Sequence, residues 1–258
     1  MKVATWNING IKARHDRLRA WLSAHEPDVL CLQEIKSIDE AFPGEVFESL
    51  GYRLATYGQK GYNGVALFSR YPLEDVTRGF EDGEDDEQAR FIGATVMADR
   101  PFRVMSAYCP NGGSLDSDKY PYKLAWYDRM LRFVDEKRAA WGDAILMGDF
   151  NVAPADIDVH DPEAWCGQVS CTAAERQRWE GIGALGMREI FREMHPDDSS
   201  YTWWDYRQLG FPKNKGMRID HIFTTQNLAD RVTACYIDRQ ERKGKKPSDH
   251  APVIAEFD

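Results

Sequence analysis

A carboxylate and an amide lie two residues apart directly after an apolar run. In α/β proteins, catalytic and ligand-binding residues are often found at such strand ends. The run Ala144-Ile145-Leu146-Met147 is followed directly by Gly148-Asp149-Phe150-Asn151. Ligands of α/β folds collect at the carboxyl ends of buried strands, where loops hold polar groups on a rigid support. Asp and Asn are also ordinary turn residues after a strand, so this segment alone does not establish a site.

Three further apolar runs begin or end in polar residues of the same kinds. Asn7 and Asn9 follow the first run, Gln33-Glu34 ends the second, and Asp249-His250 stands just before the last. Each has an ordinary structural explanation when taken alone. Because they stand at strand ends along the whole chain, together they predict one convergent site.

These residue types suit the hydrolysis of a phosphodiester. That reaction needs an activated water, compensation for charge on the phosphoryl oxygens and help for the leaving oxygen. We expect Asp149 to be the general base, with Asn151 holding the attacking water. His250 would donate to the scissile phosphate, and either Asp249 or Asp220 would fix its tautomer and keep it protonated.

A divalent cation is expected beside these groups. Glu34 is the main candidate ligand, supported by Asn7, and Asp249 is a further candidate. Mg²⁺ favours one or two carboxylates together with waters and substrate phosphate, so few protein ligands are needed. Mn²⁺ stays open as an alternative. The other histidines lack the spacing of a zinc site, which argues against zinc.

Six sequence blocks resemble the exonuclease III family of bacterial abasic-site endonucleases, within the endonuclease/exonuclease/phosphatase superfamily. In chain order they are Trp-Asn-x-Asn-Gly at 6–10, Leu-Gln-Glu at 32–34, Gly-Val-Ala-Leu at 64–67, Gly-Asp-Phe-Asn at 148–151, Arg-Ile-Asp at 218–220 and Pro-Ser-Asp-His-Ala-Pro at 247–252. The segment 201–207, followed by 216–220, resembles the DNA-repair branch in particular.

The resemblance implies a four-layer α/β sandwich in a single domain over residues 1–258, with two mixed β-sheets packed face to face and helices outside. It implies a Mg²⁺-dependent phosphodiesterase of base excision repair, which cuts duplex DNA 5′ to abasic sites and removes blocking groups or nucleotides from 3′ ends. It favours Asp220 as the partner of His250. Two alternatives stay open: a superfamily enzyme acting on another phosphoester, such as an inositol phosphate or a phospholipid, and a nucleic-acid-binding regulator without catalysis.

The resemblance also implies contacts to phosphate. Tyr108, Asn9 and Asn111 match family positions whose donors reach phosphate oxygens, and we count Tyr108 among the catalytic groups. Lys119 and Arg90 would either touch the DNA backbone or be solvated.

A last group of residues would recognise the damaged nucleotide. Trp203, Met217 and Ile219 match the family's pocket. Such a pocket should be small and apolar, because a sugar without its base offers little to hydrogen-bond and a normal nucleotide must be excluded by size. Arg207 matches a side chain that wedges into the duplex. By resemblance, Ser170 lies in the loop that borders the scissile phosphate, where a small side chain would leave room for an abasic sugar inside a continuous strand.

Strands must bring these residues to one edge, and the apolar pattern predicts such strands. Strand-like runs are expected at about 2–8, 28–33, 52–57, 64–69, 90–97, 102–109, 143–148, 218–224, 232–238 and 252–257. One helix is predicted over about 119–140 from its apolar spacing, and another after Thr172, with Glu175 closing a capping box. The runs 90–97 and 102–109 are too close for an intervening helix, so they should pair antiparallel. Pattern alone predicts a mixed α/β fold.

The composition predicts a globular protein whose charges are unevenly distributed. Its 258 residues, 43% of them hydrophobic, suffice for a large core, and no run is long enough for a membrane helix. The net charge of −9 argues against a protein that coats nucleic acid non-specifically. Residues 205–246 nevertheless carry ten Lys or Arg against five Asp or Glu, which is either a DNA-facing surface or a solvated charge run. The six acids in residues 81–87 are expected to form a solvated loop.

Five cysteines without a metal-binding spacing are expected to be reduced core thiols, as in a cytosolic protein. No apolar leader precedes the first strand, so we expect a cytoplasmic location and no membrane partner. The expected form is a monomer that binds double-stranded DNA with abasic sites or blocked 3′ ends.

Overall fold

The computed structural model describes residues 1–84 and 86–258, whose strands form two six-stranded sheets and a two-stranded ribbon. The strands are β1 (Lys2–Asn7), β2 (Val29–Gln33), β3 (Arg53–Tyr57), β4 (Val65–Ser69), β5 (Leu73–Arg78), β6 (Phe91–Val96), β7 (Phe102–Tyr108), β8 (Ala144–Asp149), β9 (Met187–Glu189), β10 (Trp203–Trp204), β11 (Gly216–Met217), β12 (Asp220–Thr225), β13 (Val232–Ile237) and β14 (Val253–Phe257). The helices are α1 (Ile11–His25), α2 (Gly44–Glu48), α3 (Lys119–Trp141), α4 (Pro162–Trp165), α5 (Ala173–Ala184), α6 (Ile190–Met194) and α7 (Gln226–Ala229).

Both large sheets are mixed, as predicted. The first has the order β13-β14-β1-β2-β4-β3 and the second β5-β6-β7-β8-β12-β9. Strands β1 and β2 run parallel in the first sheet, β7 and β8 run parallel in the second, and the other pairs in both sheets are antiparallel. The predicted antiparallel pairing of 90–97 with 102–109 is confirmed, with Phe91 opposite Ala107.

The two sheets pack face to face around a shared core. Val3 and Leu67 from the first sheet belong to the same buried cluster as Val104 and Ile222 from the second. Because successive residues of a strand point to opposite faces, strands covered on both sides appear in the sequence as continuous apolar runs. The central runs of this chain therefore predicted buried strands correctly.

Helices cover the outer face of each sheet. Leu18 and Trp21 of α1 pack with Trp6 on the first sheet, and Trp126 of α3 packs with Leu146 on the second. The result is the four-layer α/β sandwich that the resemblance implied.

Both predicted helices are present. Helix α3 spans Lys119–Trp141. Helix α5 begins with the predicted capping box, in which the Glu175 N–H donates to Thr172 Oγ1 at 3.2 Å and the Glu175 carboxylate accepts from the Thr172 N–H at 3.0 Å. Among the described residues, no helix is both long and apolar enough to cross a membrane.

The acidic segment is an exposed loop over most of its described residues, as expected, because Glu81, Glu84 and Glu87 are exposed. Asp82 and Asp86 also accept from the guanidinium of Arg129 on α3, at 2.7 and 2.9 Å, so part of the segment is tied to the helix. Asp85 of that segment lies outside the described residues. The expectation for the cysteines is wrong in one case. The cysteines are free thiols, but Cys166 is exposed and so is not a core residue.

Strand register brings the polar residues at the strand ends to one edge. In the second sheet Asp149 pairs with Tyr108 on one side and with Asp220 on the other. In the first sheet Asn7 pairs with Gln33, so Glu34 follows directly beyond that pair. Since the sheets face each other, these ends meet across the sandwich.

Candidate active site

A buried imidazole lies between two buried carboxylates. His250 Nδ1 is 2.9 Å from Asp220 Oδ2, and His250 Nε2 is 3.7 Å from Asp149 Oδ2. The two carboxylates are neighbours because β8 and β12 pair antiparallel with Asp149 opposite Asp220. The three side chains are almost fully buried.

The charges of this group keep His250 protonated. Burial alone would lower the pKa of His250, but Asp220 and Asp149 raise it to about 10. Burial raises the pKa of Asp149 to about 7, with His250 opposing the shift and Asp220 adding to it. An imidazolium donates from both nitrogens and has no lone pair for a metal. The geometry therefore suits a proton donor facing a carboxylate that can accept a proton.

Asn7 lies beneath this centre and orients two carboxylates. Its Nδ2 donates to Glu34 Oε1 and to Asp149 Oδ2, both at 2.9 Å. Its Oδ1 accepts from the Asn9 N–H at 3.0 Å. A metal ligand would present its amide oxygen to the cation, so this orientation differs from the supporting ligand role expected of Asn7.

The same edge has the donor atoms for a divalent cation. Ligand atoms of Glu34, Asp149 and His250 all lie within 4.8 Å of one another. Because His250 is protonated, the carboxylate oxygens fit a hard cation better than the ring does. Asp220 Oδ1 is buried with no hydrogen-bond partner among the described residues, so negative charge is in excess here. Burial raises the pKa of Glu34, but the Lys36 ammonium at 2.8 Å, the hydrogen bond from Asn7 and the charge of His250 together lower that pKa overall.

Asp249 occupies a different place from the one expected. Its two oxygens accept from Asn9 Nδ2 at 2.8 Å and from Trp203 Nε1 at 3.1 Å, and it is not in the three-residue metal group. Burial raises the pKa of Asp249, but the charge of His250 and these two hydrogen bonds lower it overall. In extended backbone, successive side chains point to opposite sides. Asp249 therefore contacts Asn9 and Trp203 at the cleft wall, whereas its neighbour His250 lies between Asp220 and Asp149.

Asn151 is held rigidly beside Asp149. Its N–H donates to Asp149 Oδ1 at 2.9 Å, and its Nδ2 donates to the Cys109 carbonyl at 2.8 Å. Its Oδ1 accepts from Asn111 Nδ2 at 3.2 Å. A polar group fixed on several sides is suited to positioning a water next to the carboxylate.

Tyr108 closes the other side of the centre. Burial, with the charge of Glu34 adding to it, raises the pKa of Tyr108 well above its usual range. The hydroxyl therefore keeps its proton and can donate to an anionic ligand. Arg90, whose guanidinium lies 4.6 Å from the centre of the Tyr108 ring, packs against that ring.

The centre opens into a cleft of about 470 Å³ that collects most of the predicted site residues. Those lining it are Glu34, Tyr108, Asn111, Asp149, Asn151, Ser170, Trp203, Arg207, Met217, Ile219, Asp249 and His250. The other three, Asn7, Asn9 and Asp220, contact residues of this lining. The sequence did not indicate Trp165, Val169 or Asp205, which also line the cleft.

One wall of the cleft is an apolar corner. Trp203, Met217 and Ile219 pack there, with Trp165 and Cys171 in the same cluster. The ribbon β10–β11 places Trp203 directly opposite Met217. The predicted pocket residues thus share one surface next to the charged centre.

Two predicted DNA contacts stand at the edges of the cleft. The Arg207 side chain is 84% exposed, and its Nη2 lies 2.7 Å from Asp205 Oδ2. Ser170 is buried with a positive φ of 75°. Its carbonyl accepts from the Ala153 N–H and its own N–H donates to Glu175 Oε1. The Ser170 backbone is thus fixed while its small side chain lines the cleft.

Sequence reasoning missed a buried ion pair behind the cleft. Lys123 Nζ lies 2.6 Å from Glu175 Oε1, and both side chains are fully buried. Lys123 also donates to the carbonyls of Asn111 and Asn151. A signal was present, because Lys123 stands on the apolar face of α3, three and four residues before the buried Trp126 and Tyr127.

Comparisons with known proteins agree with this architecture. Residues 4–250 match the endonuclease/exonuclease/phosphatase family. The chain is 37% identical to an exodeoxyribonuclease III of Haemophilus influenzae, covering 100% of both chains. A 3′ phosphatase from Neisseria, solved bound to product DNA hairpin, is 40% identical with a TM-score of 0.97, covering 100% of this chain and 99% of that one. An AP endonuclease from Archaeoglobus fulgidus is 38% identical with a TM-score of 0.94, again covering 100% and 99%.

Proposed function

This chain belongs to the endonuclease/exonuclease/phosphatase family, and from that premise we propose that it is a DNA repair phosphodiesterase. It cuts duplex DNA 5′ to abasic sites and removes blocking groups or nucleotides from 3′ ends. The observation that carries this proposal is the buried His250, held between Asp220 and Asp149 beside an apolar corner of the same cleft. The names of its full-length relatives support the same chemistry.

The residues divide the reaction into defined tasks. Asp149 accepts the proton of the attacking water, which Asn151 positions beside it. The His250 imidazolium donates to a phosphoryl oxygen as negative charge grows there, and Asp220 keeps it protonated and oriented. Tyr108 offers a further neutral donor at the same face.

The cation completes the charge balance. When bound by Glu34, with Asp149 beside it, Mg²⁺ or Mn²⁺ would supply positive charge against the phosphoryl oxygens. We propose Mg²⁺ as the working ion, because this set of oxygen donors is small and leaves room for waters and phosphate.

The apolar corner supports an abasic sugar as the preferred substrate. Trp203, Met217 and Ile219 offer packing surface at the cleft wall and few groups that a base could hydrogen-bond. A sugar without its base can enter such a corner, whereas a paired nucleotide would have to be flipped and fitted with its base. Duplex DNA with abasic sites or blocked 3′ ends is the proposed partner. The monomeric state and the cytoplasmic location stay predictions.

The test uses one duplex with a central abasic analogue, incubated with the protein in Mg²⁺ and in excess chelator. Cleavage should require the metal. Asp149→Asn and His250→Ala should each reduce it by at least about 10² to 10⁴ fold, the usual contribution of a positioned acid or base. Asp135→Asn, a matched exposed carboxylate on α3, should cleave like the wild type.

Three results would contradict the proposal. Near-normal turnover in either active-site variant would remove the assigned acid or base. Rapid hydrolysis of a soluble inositol phosphate, with no cleavage of the abasic duplex, would favour the other phosphoesterase. A binding regulator would show DNA affinity without turnover.

A further inference from the structure

Arg242 belongs to the basic segment 205–246, yet it is buried and faces neither DNA nor solvent. It ends a short 3₁₀ helix and is 5% exposed. Its guanidinium carbon lies 5.0 to 5.9 Å from the centres of three aromatic rings, those of Phe211, Tyr206 and Trp204. Burial lowers the pKa of Arg242, because aromatic rings replace the lost water only in part. A cation held inside the protein at this cost must make contacts that a neutral side chain could not.

Those contacts join two backbone segments at the cleft. Arg242 Nη1 donates to the Ser248 carbonyl at 2.6 Å, and Arg242 Nη2 donates to the Trp204 carbonyl at 3.3 Å. Ser248 stands two residues before His250, and Trp204 directly follows the pocket residue Trp203. Because a guanidinium is planar and holds its donors in a fixed fork, it sets the distance between the two carbonyls.

The same two segments pair as a short antiparallel ladder. Trp203 stands opposite His250, and the Trp204 N–H donates to the Asp249 carbonyl at 3.0 Å. A two-stranded ladder of this length is weak when it has no further support. Arg242 supports its end, since it bonds the next carbonyl along each strand.

Ser248 connects this end of the ladder to the catalytic centre. Its side chain is fully buried, and its Oγ donates to the Asn7 carbonyl at 2.6 Å and accepts from the His250 N–H at 3.2 Å. Asn7 is the residue whose amide orients both carboxylates beneath the imidazole. The backbone that carries His250 is therefore fixed between the Arg242 fork and the strand end that bears Asn7.

We propose that Arg242 is a positioning residue, which sets the place of the proton donor His250 relative to the apolar corner at Trp203. It acts through the backbone and touches neither the substrate nor the reacting atoms. The inference rests on the proposed function, since that function gives His250 and the corner their roles. Loss of the fork should slow the chemical step and leave DNA affinity unchanged.

The main experiment compares Arg242→Met with Arg239→Met on the abasic duplex. Arg239 is an exposed neighbour that packs on the rings of Phe211 and Trp204, at 4.4 and 5.5 Å, and donates to Asn214 Oδ1 at 3.4 Å rather than to the cleft segments. Both variants lose the same charge. The single-turnover rate is measured with saturating enzyme and Mg²⁺, and duplex affinity is measured in chelator at several salt concentrations.

The two measurements should separate in the Arg242 variant. Its single-turnover rate should fall about 10- to 100-fold, because a displacement of about 1 Å at a reacting group can cost about 10². Its duplex affinity should stay within about twofold of the wild type, with the same slope of log K against log salt, since a residue that binds no phosphate releases no counterion. Arg239→Met should keep the wild-type turnover rate.

Chemical rescue distinguishes positioning from a general loss of stability. Arg242→Ala leaves a space against the aromatic rings, and added ethylguanidinium should restore part of the turnover rate there. Ethylammonium at the same concentration should not, because it lacks the fork. If Arg242→Met does not fold, Arg242→Lys takes its place. Lysine keeps the charge but lacks the fork that spans both carbonyls, so the same loss of rate at unchanged salt slope is expected.

Three outcomes would overturn the proposal. One is a folded Arg242→Met that turns over like Arg239→Met, and another is a loss of rate that ethylguanidinium does not restore. The third is a salt slope reduced by about 0.9, which would make Arg242 a phosphate contact.

A substrate without DNA separates this inference from the proposed function. Bis-para-nitrophenyl phosphate is a chromogenic phosphodiester whose hydrolysis needs the catalytic centre but no abasic sugar. If the wild type hydrolyses it and never cleaves the abasic duplex, the repair activity is contradicted. The ratio of the Arg242→Met and Arg239→Met rates on this diester would then still test the role of Arg242: a low ratio supports it, and equal rates overturn it.

Discussion

Replacing Lys123 by Met is expected to destabilise the protein by about 3 to 5 kcal/mol, the usual cost of leaving one partner of a buried ion pair alone. Lys123 Nζ lies 2.6 Å from Glu175 Oε1, and both side chains are 0% exposed. The ammonium also donates to the carbonyls of Asn111 and Asn151, at 3.2 and 2.7 Å. Its three donors are therefore all used inside the protein.

The structure shows why the cost should fall in this range. Met keeps most of the packing volume, so the loss is electrostatic. Burial lowers the pKa of Lys123, while the charge of Glu175 opposes that shift. Without the ammonium, the carboxylate keeps its bonds from the N–H groups of Ser170 and Thr172 but loses the neighbouring cation. Two carbonyls also lose a donor, at about 1 to 3 kcal/mol each if unsatisfied, but such terms overlap in one network.

Urea unfolding measures the effect, with tryptophan fluorescence and far-UV circular dichroism required to give the same transition. For a chain of this size the loss corresponds to a melting temperature roughly 6 to 20 °C lower. Asp135→Asn is the control, because its pair with Arg138 is about half exposed and should be worth less than about 1 kcal/mol. Lys123→Met/Glu175→Gln should cost less than the sum of the single changes, since no buried charge stays unpaired.

Cleavage is the second readout of the same variants. At a temperature where Lys123→Met is still folded, cleavage of the abasic duplex should fall, because Asn151 and the Ser170 loop lose their common anchor. A cost below about 1 kcal/mol for Lys123→Met, or a double variant that costs the full sum, would refute this account of the pair.

Three further predictions concern the metal, the substrate and pH. Glu34→Gln should raise the Mg²⁺ concentration needed for cleavage, and an unchanged requirement would place the ligand elsewhere. Ser170→Trp should weaken cleavage at internal abasic sites while sparing 3′-end removal. The control Ser170→Gly should keep both activities, because glycine readily adopts the φ of 75° found here. Equal loss of the two activities in the Trp variant would contradict this prediction. Burial raises the pKa of Glu189, but the charge of Arg218, the neighbouring His221 and the hydrogen bond from the Arg192 N–H together lower that pKa to about 2. The stabilisation from Glu189 is therefore complete above about pH 4.5 and is lost as pH falls towards 2. Glu189→Gln should therefore cost about 3 kcal/mol at pH 7 and flatten the loss of stability between pH 4.5 and 2, and an unchanged acid profile would disprove the linkage.

Much of the fold was predictable because its central strands are buried on both faces. Such strands are continuous apolar runs, which can be recognised from the local sequence without knowing which strands they pair with. Helix α1 was missed because only four of its fifteen residues are buried, so charged side chains dilute its periodicity. Strand β5 was missed because all six of its residues are at least partly exposed. Backbone pairing with β6 places it at a sheet edge. Such elements form through tertiary contacts that local pattern does not encode.

The sequence predicted which residues form the site better than it predicted which of them contact each other. Asp249 and Asp220 were both candidates to hold His250, and only the family resemblance favoured the more distant one. The structure pairs Asp220 with the imidazole across thirty residues of sequence. That choice depends on which side of an extended segment a residue faces and on the register of β8 against β12, neither of which local sequence determines.

The distribution of acidic and basic side chains in this protein fits the phosphodiesterase function proposed for it. A buried centre rich in carboxylates can hold a cation and accept a proton, but it repels the phosphates of its own substrate. Lys36 offsets part of that charge next to Glu34, and His250 offsets part of it beside Asp149. The remaining attraction has to come from outside the cleft, where the salt concentration controls its strength. An acidic chain can therefore act on DNA if its cations are gathered where the duplex lies.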